Sequence, residues 1–196
     1  MLTGAALALG LVAAVRTGEP PADRDPQSLL LRVVGEGPAL LSRGTPAPDF
    51  ELPACAGNAD RPDAAGGRTV SLDGLKGESS GVVFVSFSCQ YSRQLMRAVL
   101  DEGPPDLGMP LLFIKRGGDT GREPTPEETE LQAELETRFL LLEDDGSTFD
   151  AYRSNRVPTT YLLDAEGKVA ASGIGEPEGV ELVKALLEGA LKRRRT

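Results

Sequence analysis

Thiol chemistry is confined to two residues of this chain, Cys55 and Cys89, and there is no histidine anywhere in it. The missing imidazole removes the commonest general base and the commonest zinc ligand together. A Ser-His-Asp triad is excluded. Two cysteines cannot build a cysteine-rich metal site or a disulfide framework, so no metal is expected. No G-x-G-x-x-G follows a strand and "EGPPDLGMP" carries no phosphate-loop pattern, so no cofactor is expected either. What remains for chemistry is a thiol, carboxylates, lysines and tyrosines.

Cys89 stands where a thiol gains reactivity. It lies in "VVFVSFSCQYSRQLM" (82–96), after a nearly continuous apolar run and before a run of helical spacing. The unpaired N–H groups and partial positive charge of a helix start stabilise a thiolate, and Arg93 one turn on adds positive charge. A thiolate there attacks a disulfide or is oxidised by peroxide. The plainer reading is a small buried hydrophobe, common for a free cysteine. Ser92, three residues on, is no nucleophile toward sulfur, but its hydroxyl can hydrogen-bond the thiolate. Three outcomes stay open: Cys89 acts as a monothiol resolved by another thiol, Cys55 resolves it, or the site is silent. Cys55 precedes a Gly/Ala-rich loop (56–68) and could pair with Cys89 only with Cα atoms within ~7 Å. Otherwise it is an isolated loop cysteine.

The elements that must position these residues follow from pattern. "PDFEL" (48–52) and "TVSL" (69–72) read as strands, and "VVFVSF" (82–87) as a strand buried on both faces. Apolar residues at Leu95, Met96, Val99 and Leu100 give a helix ending at Gly103-Pro104-Pro105. "PLLFIK" (110–115) is a strand. Thr125, Pro126 and Glu128 spell a capping box and a helix continuing through Leu131 and Leu135. Glu127, Glu128, Glu130, Glu134 and Glu136 are expected on its solvated face. "RFLLLED" (138–144) is a strand and "TFDAYRSN" (148–155) a helical turn. Asp144-Asp145-Gly146 is turn chemistry. "TTYLLD" (159–164) and "KVAASG" (168–173) form a hairpin. Val180, Val183, Leu186, Leu187 and Ala190 give a final helix its buried stripe. Parallel α/β units thus feed an antiparallel hairpin, and the reactive site of such a sheet lies beyond strand carboxyl ends. Cys89 is at one.

Forty percent of the 196 residues are hydrophobic, enough for one packed core, and the net charge is −9. With a pI near 4.7, nucleic acid is not an expected partner. The basic tail at 193–196 is a solvated end. "LTGAALALGLVAAV" (2–15) is short of the ~20 residues that span a bilayer and matches a signal-peptide apolar region, though no basic residue precedes it. The expected organisation is a signal or membrane-anchor segment at 1–15, a linker or arm at 16–44 with a short helix or arm in 29–44, one domain at 45–192 and the tail.

Three segments carry a family resemblance: "GTPAPDFELP", "TVSLDGLKG" and "VPTTYLLDAEGKVAASG", with a buried strand ending at a cysteine on a helix start between them. Together they resemble the thioredoxin-like (redoxin) thiol–disulfide oxidoreductases of bacterial membranes and periplasm. Proteins of cytochrome c maturation and methylamine dehydrogenase maturation are among these, and peroxiredoxins are more distantly related. The resemblance covers roughly residues 45–192. It implies an α/β thioredoxin fold, three layers around a central mixed sheet, with an N-terminal strand-pair extension. It also implies a cis proline at Pro158 facing Cys89, with Val157, Thr159, Tyr91 and Gln90 lining the place of a peptide substrate. The departures are specific. The family's Cys-x-x-Cys reads Cys89-Gln90-Tyr91-Ser92, tryptophan is absent, and the strand before the motif holds no carboxylate.

The function implied is thiol–disulfide exchange on protein thiols or disulfides, with a reductant thiol as the other partner, in the periplasm or elsewhere outside the cytoplasm. A redox-inactive binding module on the same fold is the alternative. A peroxiredoxin-like peroxidase is the third: Ser86 supplies its hydroxyl three residues before Cys89 and Arg153 or Arg156 its arginine, but Val82 stands in place of its proline.

Overall fold

The structure is a computed structural model that describes residues 39–55, 69–101, 110–118, 121–175 and 181. The expected segments at 1–15 and 16–38, the loop at 56–68, the final helix at 180–190 and the tail at 193–196 lie outside these residues, Glu181 excepted. In chain order the strands are β1 (Glu51–Pro53), β2 (Thr69–Ser71), β3 (Ser80–Val85), β4 (Leu111–Arg116), β5 (Leu140–Asp144), β6 (Thr159–Leu163) and β7 (Val169–Ile174). The helices are α1 (Gln90–Asp101), α2 (Pro126–Arg138) and α3 (Ser147–Ala151).

Five strands form the main sheet in the order β5-β4-β3-β6-β7, and β1 and β2 form an antiparallel pair beside it. The β3–β4 and β4–β5 ladders are parallel, while β3–β6 and β6–β7 are antiparallel. The central place of β3 follows from its residues. All six are buried, so it needs a covering layer on each face. Val83 and Val85 point to one layer, where Leu95, Met96, Val99 and Leu100 of α1 and Leu131 and Leu135 of α2 cover them. Val82 and Phe84 point to the other, where Phe149, Tyr152, Leu52, Val70 and Leu72 pack. The alternation is the strand's own period of two.

Several boundaries move from their expected places. β1 starts at Glu51, and residues 48–50 only lead into it. No helix forms in 39–44; Leu41 instead joins the core, its N–H donating to the Tyr161 hydroxyl at 3.3 Å. The capping box at Thr125 is present, with Glu128 N–H donating to Thr125 Oγ1 at 3.3 Å and Thr125 N–H to Glu128 Oε2 at 2.9 Å. Glu128 and Glu136 do not lie on a solvated face. They are 5% and 8% exposed, because Glu128 is folded into the cap and onto Arg122 while Glu136 accepts from Gln132 at 2.7 Å. Asp144 is buried and accepts the N–H groups of Gly146, Thr148 and Phe149, which starts α3.

Candidate active site

β6 runs antiparallel to β3 with Phe84 opposite Thr159, so the last residues of β3 lie against the first of β6. The loop after β3 (86–89) and the loop before β6 (155–158) therefore emerge at one end of the sheet. This register alone brings together two segments nearly seventy residues apart in the chain. The distance that results is short: the Cys89 thiol donates to the Val157 carbonyl at 3.4 Å. The Val157–Pro158 peptide bond is cis. Pro158 is buried and its carbonyl accepts from Gly175 N–H at 2.8 Å, which ties the loop to the end of β7.

Cys89 is the N-cap residue of α1. The helix begins at Gln90, and the Arg93 N–H donates to the Cys89 carbonyl at 3.0 Å. The N–H groups of the first turn of α1 have no intrahelical acceptor at this end. The bond to Val157 belongs to the protonated thiol, since a thiolate has no hydrogen to give. The Arg93 guanidinium donates to the Phe87 carbonyl at 2.8 Å and lies 3.6 Å from Glu128.

The other residues of the motif divide into rim and support. Gln90 and Tyr91 are exposed, and Tyr91 (51%) is the exposed large hydrophobic side chain of the described residues. An aromatic ring left in water beside a half-buried thiol offers a contact surface. Ser92 is fully buried, and its hydroxyl accepts from the Ser86 N–H at 3.2 Å. It holds the loop after β3. Thr159 is also fully buried, and its hydroxyl donates to the Arg156 carbonyl while its backbone lies between β3 and β7. That placement corrects the expectation of Thr159 as a substrate contact: it shapes the loop from beneath.

Cys55 does not reach this site. Its N–H donates to the Leu141 carbonyl at 2.9 Å, on the outer flank of β5. From there to β3 is three strand spacings of ~4.8 Å, about 14 Å, twice the ~7 Å that a disulfide tolerates. Both cysteines are free. Burial pushes the Cys55 thiol up to about 11, against a smaller opposing pull from Lys115. It lines a cavity of ≈ 380 Å³ with Lys115, Gln132, Glu136 and Glu143.

Two arginines that the sequence offered only to a peroxidase lie in the segment before Pro158. Arg153 and Arg156 are both exposed, in the loop that leads to Pro158. Their signal was present in "RSNRVP" (153–158), a basic loop in an acidic chain. Among the described residues no group of acidic, histidine or cysteine side chains is arranged to hold a metal.

The five-stranded mixed sheet with its flanking helices defines a fold class, and solved structures share that fold. The chain matches a protein assigned as thiol:disulfide interchange protein DsbE from Chlorobium tepidum with TM-score 0.57 at 23% identity, over 77% of this chain and 99% of that one. It matches the thioredoxin domain of a thiol-disulfide oxidoreductase from Bacteroides vulgatus with TM-score 0.53 at 19% identity, over 75% and 99%. An exposed lipoprotein thioredoxin from Streptococcus pneumoniae gives TM-score 0.54 at 22% identity, over 72% and 99%. No family model and no curated protein matches the sequence. The chain has the thioredoxin fold, with its mixed five-stranded sheet and an added two-stranded sheet, as the resemblance implied.

Proposed function

We propose that this chain carries out thiol–disulfide exchange on protein substrates outside the cytoplasm, through the single thiol of Cys89. The observation that carries the reading is the pairing of an N-cap thiol with the carbonyl before a cis proline, 3.4 Å apart. The Cys89 thiolate attacks one sulfur of a substrate disulfide, forms a mixed disulfide with it, and releases the other sulfur as a thiolate. A second thiol, from the substrate or from a low-molecular-weight reductant, then attacks the mixed disulfide and returns Cys89. Ser92 takes no part in that second step. Val157 presents backbone to an extended segment beside Cys89, and Tyr91 and Gln90 meet its side chains. The three solved structures bear names of thiol–disulfide or thioredoxin proteins, one of them an exposed lipoprotein, which agrees with this chemistry and location.

A redox-inactive binding module on the same fold has one specific observation in its favour, Ser92 buried at the resolver position. The peroxidase reading is weaker, because the Ser86 hydroxyl is engaged at 2.8 Å by that of Ser88 and the Arg153 guanidinium bonds the Ala39 carbonyl. The deciding experiment treats the full chain with a disulfide-containing protein, quenches with acid and seeks a mixed disulfide by mass spectrometry. The expected adduct maps to Cys89 and is lost in Cys89→Ser. No adduct, together with alkylation of Cys89 no faster than that of a cysteine in an unstructured peptide, overturns the exchange reading in favour of the binding module.

A further inference from the structure

Thirty acidic residues give this chain its charge of −9, yet none lies between Glu78 and Asp101, nor between residues 151 and 163. Those two segments hold Cys89 and Pro158, and they carry four arginines: Arg93, Arg97, Arg153 and Arg156. Two lie against α2: Arg97 pairs with Glu127, and Arg93 is 3.6 Å from Glu128, a carboxylate that it shares with Arg122. The other two keep their charge. Arg153 donates to a neutral acceptor, the Ala39 carbonyl, at 3.2 Å. Arg156 is exposed, and neither is ion-paired among the described residues. An acidic protein thus carries a basic rim, two arginines without an acidic partner among the described residues, in the segment that runs to the carbonyl bonded by Cys89.

We propose that this rim selects an acidic, extended polypeptide segment, with Arg156 as the specificity-determining cation and Arg153 as its second. The geometry supplies the reach. Arg156 directly precedes Val157, whose carbonyl is 3.4 Å from the Cys89 sulfur. A segment bonded to that sulfur runs alongside residues 156–157. Side chains directly across such a pair are ~5 Å apart at Cβ and diagonal ones ~7–8 Å, both within the span of an arginine. The Thr159 hydroxyl bonded to the Arg156 carbonyl fixes the backbone from which that side chain projects. Net charge argues the other way, since a negative molecule repels an acidic partner from afar. At physiological salt the screening length is ~8 Å, so two arginines in contact outweigh carboxylates on distant faces. Charges of this rim type act on encounter rate and specificity.

The biological use of this preference rests on the exchange reading, but the preference itself is tested apart from it. The first arm uses Cys55→Ser protein and three cysteine peptides of equal length, flanked by Glu, Gln or Lys and activated as 2-thiopyridyl disulfides. The Cys89 thiolate attacks the peptide sulfur, the Cys89–peptide disulfide forms, and thiopyridone leaves and takes up a proton. The expected order of rates is Glu above Gln above Lys, with on the order of tenfold between extremes at low salt and convergence as salt rises. Arg156→Glu inverts the order, Arg153→Glu narrows it, and Arg156→Lys keeps it. Each rate is divided by the same variant's rate of alkylation with uncharged iodoacetamide, which removes any effect through the thiol. The second arm measures binding of the same peptides, with serine for cysteine and a neutral fluorophore, to Cys89→Ser protein. Should no peptide form an adduct, the exchange reading fails and this arm alone decides the rim. Equal rates and equal binding for the three peptides, or an order unchanged by Arg156→Glu with Arg153→Glu, overturn the proposal.

Discussion

Cys55 and Cys89 are one residue type in two environments, and the difference is testable at the level of single atoms. Cys55 packs against the layer under α1 and α2, and its thiol stays protonated up to about 11. Because burial raises it above the ordinary 9.0, Cys55 leaves stability unchanged below pH 9 and withdraws support only as pH climbs from 9 toward 11. At neutral pH iodoacetamide is expected to label Cys89 well before Cys55, with peptide mapping as the readout. Equal labelling would place Cys55 outside its packed position. The tyrosines make a second contrast. The Tyr161 hydroxyl donates to the Tyr152 carbonyl at 2.5 Å and accepts from Leu41 N–H, whereas the buried Tyr152 hydroxyl has no partner among the described residues. Tyr161→Phe is expected to cost about 1–3 kcal/mol by leaving the Leu41 N–H without its acceptor and the Tyr152 carbonyl with only the 3.4 Å bond from Ser154 Oγ. Tyr152→Phe is expected to be neutral or stabilising, since it removes a desolvated hydroxyl without a partner among the described residues. Urea denaturation of both variants checks the pair, and a larger loss in Tyr152→Phe would contradict it.

At the scale of elements, α2 shows how a start signal becomes energy. Thr125 and Glu128 satisfy each other's orphan donors, and the Arg122 guanidinium closes on Glu128 at 2.6 Å. Thr125→Ala is expected to cost about 1 kcal/mol, seen as a lower Tm with the Cys89 thiol unaltered. The bond from Arg122, then that from the Thr125 backbone, holds the Glu128 carboxyl at about 2 against an ordinary 4.5. The folded state therefore releases this proton more readily than the unfolded state. The stabilisation is complete above pH 4.5 and is lost as pH falls from 4.5 to about 2. Glu128→Gln is expected to lower Tm at neutral pH and to converge on the wild type near pH 2; a constant gap across that range would contradict the assignment. The capping box was readable because its partners are three residues apart. The burial of Glu128 and Glu136 was not, because it depends on Arg122 in the preceding loop and on the side of α2 that meets the sheet.

The whole molecule turns on β3. Phe84 is fully buried at its centre, with ring centroids of Phe149, Tyr152 and Tyr161 at 5.0, 5.1 and 6.2 Å. Phe84→Ala empties the meeting point of β3, β6 and the segment after β5. A loss of ~3–5 kcal/mol is expected, which is a large share of the ~5–15 kcal/mol that holds such a domain. The urea midpoint should fall by about 2 M for a slope near 2 kcal/mol/M. Because Phe84 also sets the register with Thr159, the same variant should loosen the Cys89–Val157 contact and slow mixed-disulfide formation in whatever fraction stays folded. A small shift in midpoint would mean that the far layer is not cooperative with the site.

Local pattern by itself determined where most strands lie, the start of α2, the absence of histidine chemistry, and Cys89 at the mouth of a helix. Each of these depends on residues within a few positions of one another, or on residue types simply absent. The motif and proline segments also sufficed to mark the fold by resemblance. Only the tertiary structure decided which residues meet. The β3–β6 register put the Val157 carbonyl on the Cys89 thiol, the β5 edge carried Cys55 about 14 Å away, and the sheet took Ser92 and Thr159 out of solvent. The pairing of Arg93 and Arg97 with α2, which leaves Arg153 and Arg156 as the charged rim, was likewise invisible in the chain. Contacts between segments tens of residues apart follow from register and layer packing, and neither leaves a local trace.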